Sequence, residues 1–163
     1  MTMKTILTKK QIENKILRMS FQIIENNLEE EELHLIGLES NGHIIAQKIE
    51  KHITNNSKIK VATIKMSLNK KGNQNTTFSN KIESKNKTII LIDDVLKSGE
   101  TIIHAIKELL KFNIKKLKTA ILINRNHNIF PVGVNYVGLE LSTTLEEHIK
   151  VSFENNNTGA FLC

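Results

Sequence analysis

The stretch that decides the fold is residues 88–106, TIILIDDVLKSGETIIHAI. It begins with Thr88 to Ile92, a run that is apolar on both faces, as is typical of central strands in parallel sheets. Two adjacent carboxylates, Asp93 and Asp94, follow directly. Neighbouring carboxylates repel each other, and the end of a strand inside a fold is a costly place for them. The pair therefore calls for a functional explanation.

A short loop and a predicted helix complete the stretch. The helix is expected from Gly99 to Phe112, and Ser98-Gly-Glu-Thr101 opens it. A helix start offers unpaired amides and a partial positive charge, glycine allows close approach, and hydroxyls add donors, so this loop can bind phosphate. Carboxylates shortly before it can accept hydrogen bonds from sugar hydroxyls, so the spacing predicts a sugar phosphate site. The alternative is ordinary capping, with Ser98 as N-cap and the acids in a solvated turn.

The remaining chain alternates predicted helices and strands. A capping box formed by Thr8 and Gln11 starts the first helix. The predicted helices are residues 8–26 and 43–53, the predicted strands are residues 33–38, 58–66, 118–123, 135–139 and 150–153, and residues 39–42 are a predicted loop. This alternation predicts an α/β fold, a mostly parallel twisted sheet with helices on both faces. Residues 1–163 are expected to form a single domain.

Residues 69–87 are polar, rich in Lys, Asn, Ser, Thr and Gly, and predict a long loop with room for a short hairpin. Long loops within compact domains are often lids over a site. A disordered surface loop without a function fits the same composition, and the sequence leaves both interpretations open.

Composition restricts the class of protein. The 163 residues are 39% hydrophobic and 25% charged, and no apolar run approaches the ~20 residues that a membrane span needs. The single cysteine, Cys163, excludes a disulfide framework, so a cytoplasmic location is expected. The net charge of +6 allows an anionic partner such as nucleic acid, although Arg18 and Arg125 are the sole arginines.

The run ILIDDVLKSGET resembles the signature of type I phosphoribosyltransferases, which bind 5-phosphoribosyl 1-diphosphate (PRPP). The segments GLESNGHIIAQKI and AILINRNHNIFPVGVNYVGLELSTT follow the order seen in the bifunctional pyrimidine operon attenuator/uracil phosphoribosyltransferase group. The similarity covers roughly residues 8–153. It implies a type I phosphoribosyltransferase-like fold with a small base-side hood, and transfer of a phosphoribosyl group to a nucleobase, with uracil as the leading candidate.

The resemblance also implies a set of site residues. Asp93 and Asp94 would be the catalytic acids that hold the ribose 2- and 3-hydroxyls. The other implied positions are Lys97, Ser98, Gly99, Glu100 and Thr101 for the 5-phosphate, Ser40, Asn41 and Gly42 for pyrophosphate, Lys70 and Lys71 in a mobile lid, and Arg125, His127 and Thr143 on the base side. Mg²⁺ would be bound through substrate near the acids, without a direct protein cage. A homodimer or higher homo-oligomer is implied, RNA is a further candidate partner, and no membrane is involved.

Several positions depart from the group. Asn41 and Glu100 stand where the group usually carries arginine, and Lys70 and Lys71 replace a lid arginine. On the base side the departures are Asn124, Asn126 and Leu139, and Lys97 replaces a tyrosine. Lysine pairs with phosphate but cannot form a bidentate contact. Weakened transfer is therefore expected.

Three functions remain open. The first is a phosphoribosyltransferase, and the second is a weak or inactive relative that senses a nucleotide and binds RNA as a regulator of pyrimidine genes. A phosphoacceptor receiver domain ranks last. The acid pair of such a domain lies near its first strand, whereas Asp93 and Asp94 follow two earlier predicted strands and a long loop. His127 fits either the base-side edge or loop packing, while His34 and His104 are expected to be structural or exposed.

Overall fold

The computed structural model describes residues 3–69, 75–83, 86–142, 144 and 147–163. Within these ranges the chain forms three helices and nine strands, which make two sheets. In chain order the elements are β1 Lys4–Thr8, α1 Lys9–Glu25, β2 Glu32–Leu38, α2 Glu39–Asn56, β3 Lys60–Ser67, β4 Thr77–Phe78, β5 Lys87–Leu96, α3 Glu100–Leu109, β6 Ile114–Asn124, β7 Tyr136–Glu140, β8 Ile149–Ser152 and β9 Gly159–Leu162.

The larger sheet has the strand order β4-β3-β2-β5-β6-β7. All its pairings are parallel except that of β4 with β3. The central strand β5 alternates its side chains between two apolar cores: Ile90 and Ile92 face one, while Ile89 and Leu91 face the other. All four are fully buried, and each contributes roughly 1.5–3 kcal/mol of hydrophobic stabilisation.

Helices cover both faces of this sheet. Buried residues of α1 and α2, such as Ile16 and Ile45, pack with Ile90 and Ile92, whereas Ile102 and Leu109 of α3 pack with Ile89 and Leu91. The predicted α/β class is thus confirmed. Among the described helices, none has the length and apolar content needed to cross a bilayer.

The start of α1 is the capping box that the sequence predicted. Thr8 Oγ1 accepts a hydrogen bond from the Gln11 amide at 3.3 Å, and Gln11 Oε1 accepts one from the Thr8 amide at 2.8 Å. Two helix-end donors are satisfied locally.

The smaller sheet is antiparallel, with the order β1-β9-β8. It joins the two ends of the chain, because Lys4 pairs with Leu162. Its buried Leu7, Val151 and Ala160 belong to the core on the α1 and α2 side, and β8 contacts β5. This sheet is the small hood that the resemblance implied; β1 and β9 were not predicted.

Several predicted boundaries were wrong, and two of them lie near the sheet's carboxyl edge. Strand β5 continues to Leu96, so Asp93 and Asp94 lie in the strand and not beyond it. Helix α3 ends at Leu109 rather than Phe112. The loop predicted at residues 39–42 is instead the first turn of α2. Its N-cap, Leu38, makes no side-chain cap hydrogen bond, so the sequence carries no start signal there.

Part of the polar segment forms the hairpin that its composition allowed. Strand β4 pairs with the end of β3, where Met66 lies opposite Phe78. Lys70 and Lys71, which the resemblance assigned to a lid, lie outside the described residues.

Candidate functional site

The acid pair lies at the carboxyl end of the central strand. Asp93 and Asp94 are the chain's only aspartates and are both half-buried. Asp93 Oδ1 accepts a hydrogen bond from the Asp94 amide at 2.9 Å, and Asp94 Oδ1 accepts one from the Val95 amide at 2.8 Å. Backbone donors thus fix the orientation of both neighbouring carboxylates.

The start of α2 lies against the same end of β5. A Cβ on Gly42 would stand 2.6 Å from the Ile92 carbonyl oxygen and 3.3 Å from the Asp93 Cα, so only glycine lets the helix come this close. Asn41, one residue before, donates from Nδ2 to Asp94 Oδ2 at 2.8 Å. Two of the residues implied for pyrophosphate therefore lie directly beside the acid pair.

The predicted 5-phosphate loop follows the strand. Gly99 is the N-cap of α3 with φ +88°, a left-handed conformation that favours glycine, and this N-cap residue makes no side-chain cap hydrogen bond. The capping alternative required Ser98 to be the N-cap, and this prediction was wrong, because the N-cap is Gly99. Its Oγ accepts instead from the Glu100 amide at 3.2 Å, within the loop.

The predicted 5-phosphate loop is hydrogen-bonded to a second loop, which contains Ile129 and Phe130. The Ser98 carbonyl accepts hydrogen bonds from the Ile129 and Phe130 amides at 2.8 and 3.1 Å. A Cβ on Gly99 would lie 3.2 Å from the Phe130 carbonyl and from Val132 Cγ2. These contacts fix the loop's shape before any ligand binds, which reduces the ordering cost of binding.

Two cavities open on this edge and meet at Asp93. The first, about 310 Å³, is lined by Leu38, Glu39, Ser40, Asn41, Leu68, Asp93, Asp94, Val95 and Thr101. The second, about 400 Å³, is lined by Asp93, Val95, Leu96, Lys97, Ser98, Gly99, Glu100, Thr101, Ile102, Arg125, His127 and Ile129. The two cavities share Asp93, Val95 and Thr101 in their linings, so the acid pair, the start of α2 and the predicted 5-phosphate loop lie around two adjoining cavities.

The two cavities differ in charge. The first has three carboxylates, on Glu39, Asp93 and Asp94, and none of its described lining residues is cationic. The second adds the cations Lys97 and Arg125 to the acids Asp93 and Glu100. An anionic group entering the first cavity therefore needs a cation from elsewhere.

The residues predicted on the base side differ in their burial and contacts. Arg125 is 2% exposed, and its Nη2 donates to the Thr144 carbonyl at 3.0 Å, so the guanidinium fixes the position of Thr144. His127 is half-buried on the second cavity. Thr143 lies outside the described residues.

A contact beside the hood is one that no sequence pattern predicts. Lys97 Nζ lies 3.1 Å from Nδ1 of His148, the residue before β8. Nearby, the amide and hydroxyl of Thr144, together with Arg125, hold the pKa of Glu147 below its ordinary value of 4.5. Leu68, after β3, also lines the first cavity. No pattern in the sequence places these residues near the acids, because each depends on pairing between distant segments.

Two of the other histidines fit the sequence expectations. His34 is 3% exposed within β2, and His104 is exposed on α3. His43, next to Gly42, is half-buried, and burial, aided by the charge of Lys65, lowers its pKa below the ordinary value of 6.5.

Comparison with known proteins agrees with this geometry. The Phosphoribosyl transferase domain family matches residues 2–154. The "Bifunctional protein PyrR" of Haemophilus ducreyi is 32% identical over 93% of this chain and 90% of the relative. That of Clostridium botulinum is 34% identical over 90% of this chain and 87% of the relative.

Solved structures share the fold at lower identity. A hypoxanthine-guanine phosphoribosyltransferase from Bacillus anthracis superposes with a TM-score of 0.77 at 17% identity, covering 99% of this chain and 98% of the other. A hypoxanthine phosphoribosyltransferase of Trypanosoma cruzi gives 0.80 at 10% identity, covering 98% and 94%. With a family match over nearly its whole length and relatives above 30% identity, the chain belongs to the phosphoribosyltransferase family and is akin to its bifunctional pyrimidine operon proteins.

Proposed function

We propose that the protein binds PRPP and transfers its phosphoribosyl group to a nucleobase, with uracil as the leading candidate. Family membership gives the reaction class. The observation that supports the site is the position of Asp93 between two cavities, one at the start of α2 and the other at the start of α3. A ligand with a sugar in the middle and a phosphate group on each side fits this arrangement.

In the proposed reaction a nitrogen of the base attacks the anomeric carbon of PRPP. A carbon–nitrogen bond forms while the bond between that carbon and the pyrophosphate oxygen breaks. Pyrophosphate leaves with the bonding electron pair, and the nitrogen loses its proton to solvent. Positive charge develops on the ribose ring, and the carboxylates of Asp93 and Asp94 beside it stabilise that charge.

The same two carboxylates accept hydrogen bonds from the ribose hydroxyls in this proposal. The 5-phosphate binds to the amides of the loop at residues 98–101 and to the hydroxyls of Ser98 and Thr101, with the partial positive charge of α3 behind them. Lys97 adds a full charge at the exposed edge of this loop. The carboxylate of Glu100 opposes this positive charge, because it is negative and lies in the first turn of α3, directly after the loop.

Pyrophosphate would occupy the first cavity, next to Ser40, Asn41 and Gly42. The three carboxylates there repel an anion, so the donor set fits Mg²⁺ held by substrate oxygens and one or two acids. Among the described residues no group of three or more metal-binding side chains forms a cage. Bound there, Mg²⁺ would neutralise charge on the leaving group. Lys70 and Lys71 would add cations from the lid.

On the base side, His127 borders the space that the nucleobase would fill, and Arg125 fixes the position of Thr144. Thr143 would complete this wall. We further propose a homodimer or higher homo-oligomer and a cytoplasmic location, as the sequence predicted. Both remain predictions.

The experiment is a turnover assay with PRPP, Mg²⁺ and a panel of nucleobases, following release of pyrophosphate. We expect turnover with at least one base, uracil first, that stops when Mg²⁺ is chelated. Absence of turnover with every base, together with no heat when PRPP and Mg²⁺ are titrated into the protein, would contradict the proposal.

A second function is favoured by a separate observation. A relative from Lactococcus lactis, 28% identical over 96% of this chain, is called "Pyrimidine operon regulatory protein", and the present chain carries a net charge of +6. We propose RNA binding, with regulation of pyrimidine genes, as the alternative or additional role. If lysines bind the RNA backbone, affinity falls steeply with salt. RNA affinity that stays flat between about 50 and 200 mM salt would contradict this electrostatic version.

A further inference from the structure

Asn41 makes an unusual pair of contacts in the first turn of α2. Its Nδ2 donates one hydrogen bond to Asp94 Oδ2 at 2.8 Å and another to the Val151 carbonyl at 2.9 Å. Both amide hydrogens are therefore used. The side chain is half-buried and joins the start of α2 to the end of β5 and to the hood strand β8.

These contacts fix the carboxylate of Asp94 from both sides. Oδ2 accepts from Asn41, and Oδ1 accepts from the Val95 amide at 2.8 Å. Each carboxylate oxygen can accept a second hydrogen bond, so a ribose hydroxyl can still bind. Hydrogen bonds to a charged acceptor are the stronger kind, and they hold the carboxylate plane in one orientation.

The same contacts turn Asn41 toward the acid and away from an anion in the first cavity. A side chain that donates both hydrogens to protein oxygens has no donor left for pyrophosphate. It also carries no charge in a cavity that already holds three carboxylates. The position that the resemblance assigned to pyrophosphate therefore acts on the ribose end of the ligand.

We propose that Asn41 is a positioning residue for Asp94: its side chain governs affinity for the ribose hydroxyls and contributes nothing directly to pyrophosphate binding. This inference rests on the proposed function, because it assumes that Asp94 binds ribose. It assigns Asn41 a role different from that of the arginine usual at this position, which could reach a phosphate directly.

The test separates the ligand into its two halves. Ribose 5-phosphate and pyrophosphate, each with Mg²⁺, are titrated calorimetrically into the wild type and Asn41→Ala. We expect affinity for ribose 5-phosphate to fall about tenfold in Asn41→Ala, as for loss of one charge-assisted hydrogen bond, with pyrophosphate affinity unchanged. PRPP, which contains the ribose, should lose a similar factor.

A matched control is Asn56→Ala, at the other end of the same helix. Asn56 Nδ2 donates to the His52 carbonyl within α2, so the same amide is removed with no contact to the acids. Both half-ligands should bind to this variant as to the wild type. Circular dichroism and thermal unfolding of all variants show whether the fold persists. Asn41→Ser, which keeps a shorter donor, replaces Asn41→Ala if the latter does not fold.

Each outcome decides something. A selective loss of ribose 5-phosphate affinity supports the role of Asn41. Four results would overturn it: equal losses of affinity for ribose 5-phosphate and pyrophosphate, a loss of affinity for pyrophosphate alone, no loss of affinity, or failure of both Asn41 variants to fold. The last result would make Asn41 a structural residue. A wild-type protein that binds neither half nor PRPP refutes the proposed function itself, which is a separate result.

Discussion

Gly42 and Ile92 define how closely helix α2 approaches the central strand. A methyl group on Gly42 would stand 2.6 Å from the Ile92 carbonyl oxygen, a backbone atom that cannot move away without displacing β5. The absence of a side chain at one residue thus sets the distance between the start of α2 and the acid pair.

Gly42→Ala is therefore expected to destabilise the protein by about 1–3 kcal/mol, as overpacking does, although alanine is the better helix former by about 1 kcal/mol. It should also weaken PRPP binding, because α2 shifts away from Asp93. Urea unfolding and calorimetry measure the two effects.

The matched control is Gly133→Ala, where an added Cβ has nothing within 4 Å. Its stability should stay within about 0.5 kcal/mol of the wild type. A Gly42→Ala variant as stable as the wild type would show that the helix does not depend on this contact.

Glu100 is expected to weaken phosphate binding. It is exposed in the first turn of α3, where the resemblance implies that the 5-phosphate binds. Glu100→Gln should tighten ribose 5-phosphate binding about two- to fivefold at low salt, and less at high salt, because it removes a like charge. Calorimetry at two ionic strengths measures this.

Glu13→Gln, an exposed acid on α1, removes the same charge far from the loop and should leave binding unchanged. An equal gain in Glu13→Gln would indicate an effect of net charge alone. Weaker binding in Glu100→Gln would contradict the phosphate assignment.

Stability should depend on pH through His43. Burial, with Lys65 nearby, lowers the pKa of His43, so the folded protein prefers the neutral imidazole. Its contribution is complete above about 6.5 and is lost as the pH falls through the lower folded value, because only the unfolded chain then gains the proton. The free energy of unfolding should therefore decrease from pH 7.5 to 5.5.

His52 adds to the same slope, since burial and Lys51 lower its pKa as well. His43→Gln should thus reduce the slope without abolishing it. Urea unfolding at three pH values measures this. An unchanged slope in His43→Gln would contradict the account.

The sequence predicted the features that arise from local chemistry. The capping box of Thr8 and Gln11 located the start of α1. The run before Asp93, which is apolar on both faces, located the central parallel strand. The order of strands and helices then gave the α/β class. These signals are local, because they depend on neighbours within a few residues along the chain.

The features that were missed depend on distant segments. Strands β1 and β9 are short and pair the two chain ends, which no local pattern reveals. The start of α2 is an exception with a local cause: Leu38 offers no cap and Ser-Asn-Gly has the composition of a turn, so the sequence predicts a loop there. The contact of Asn41 with Asp94 likewise follows from packing between α2 and β5.

The central claim is that Asp93 and Asp94 bind ribose at the end of β5. The most direct measurement is calorimetric titration of PRPP with Mg²⁺ into the wild type, Asp93→Asn and Asp94→Asn, with circular dichroism to verify each fold. The account predicts clear binding to the wild type and none to either folded variant. Undiminished binding to both variants would contradict it.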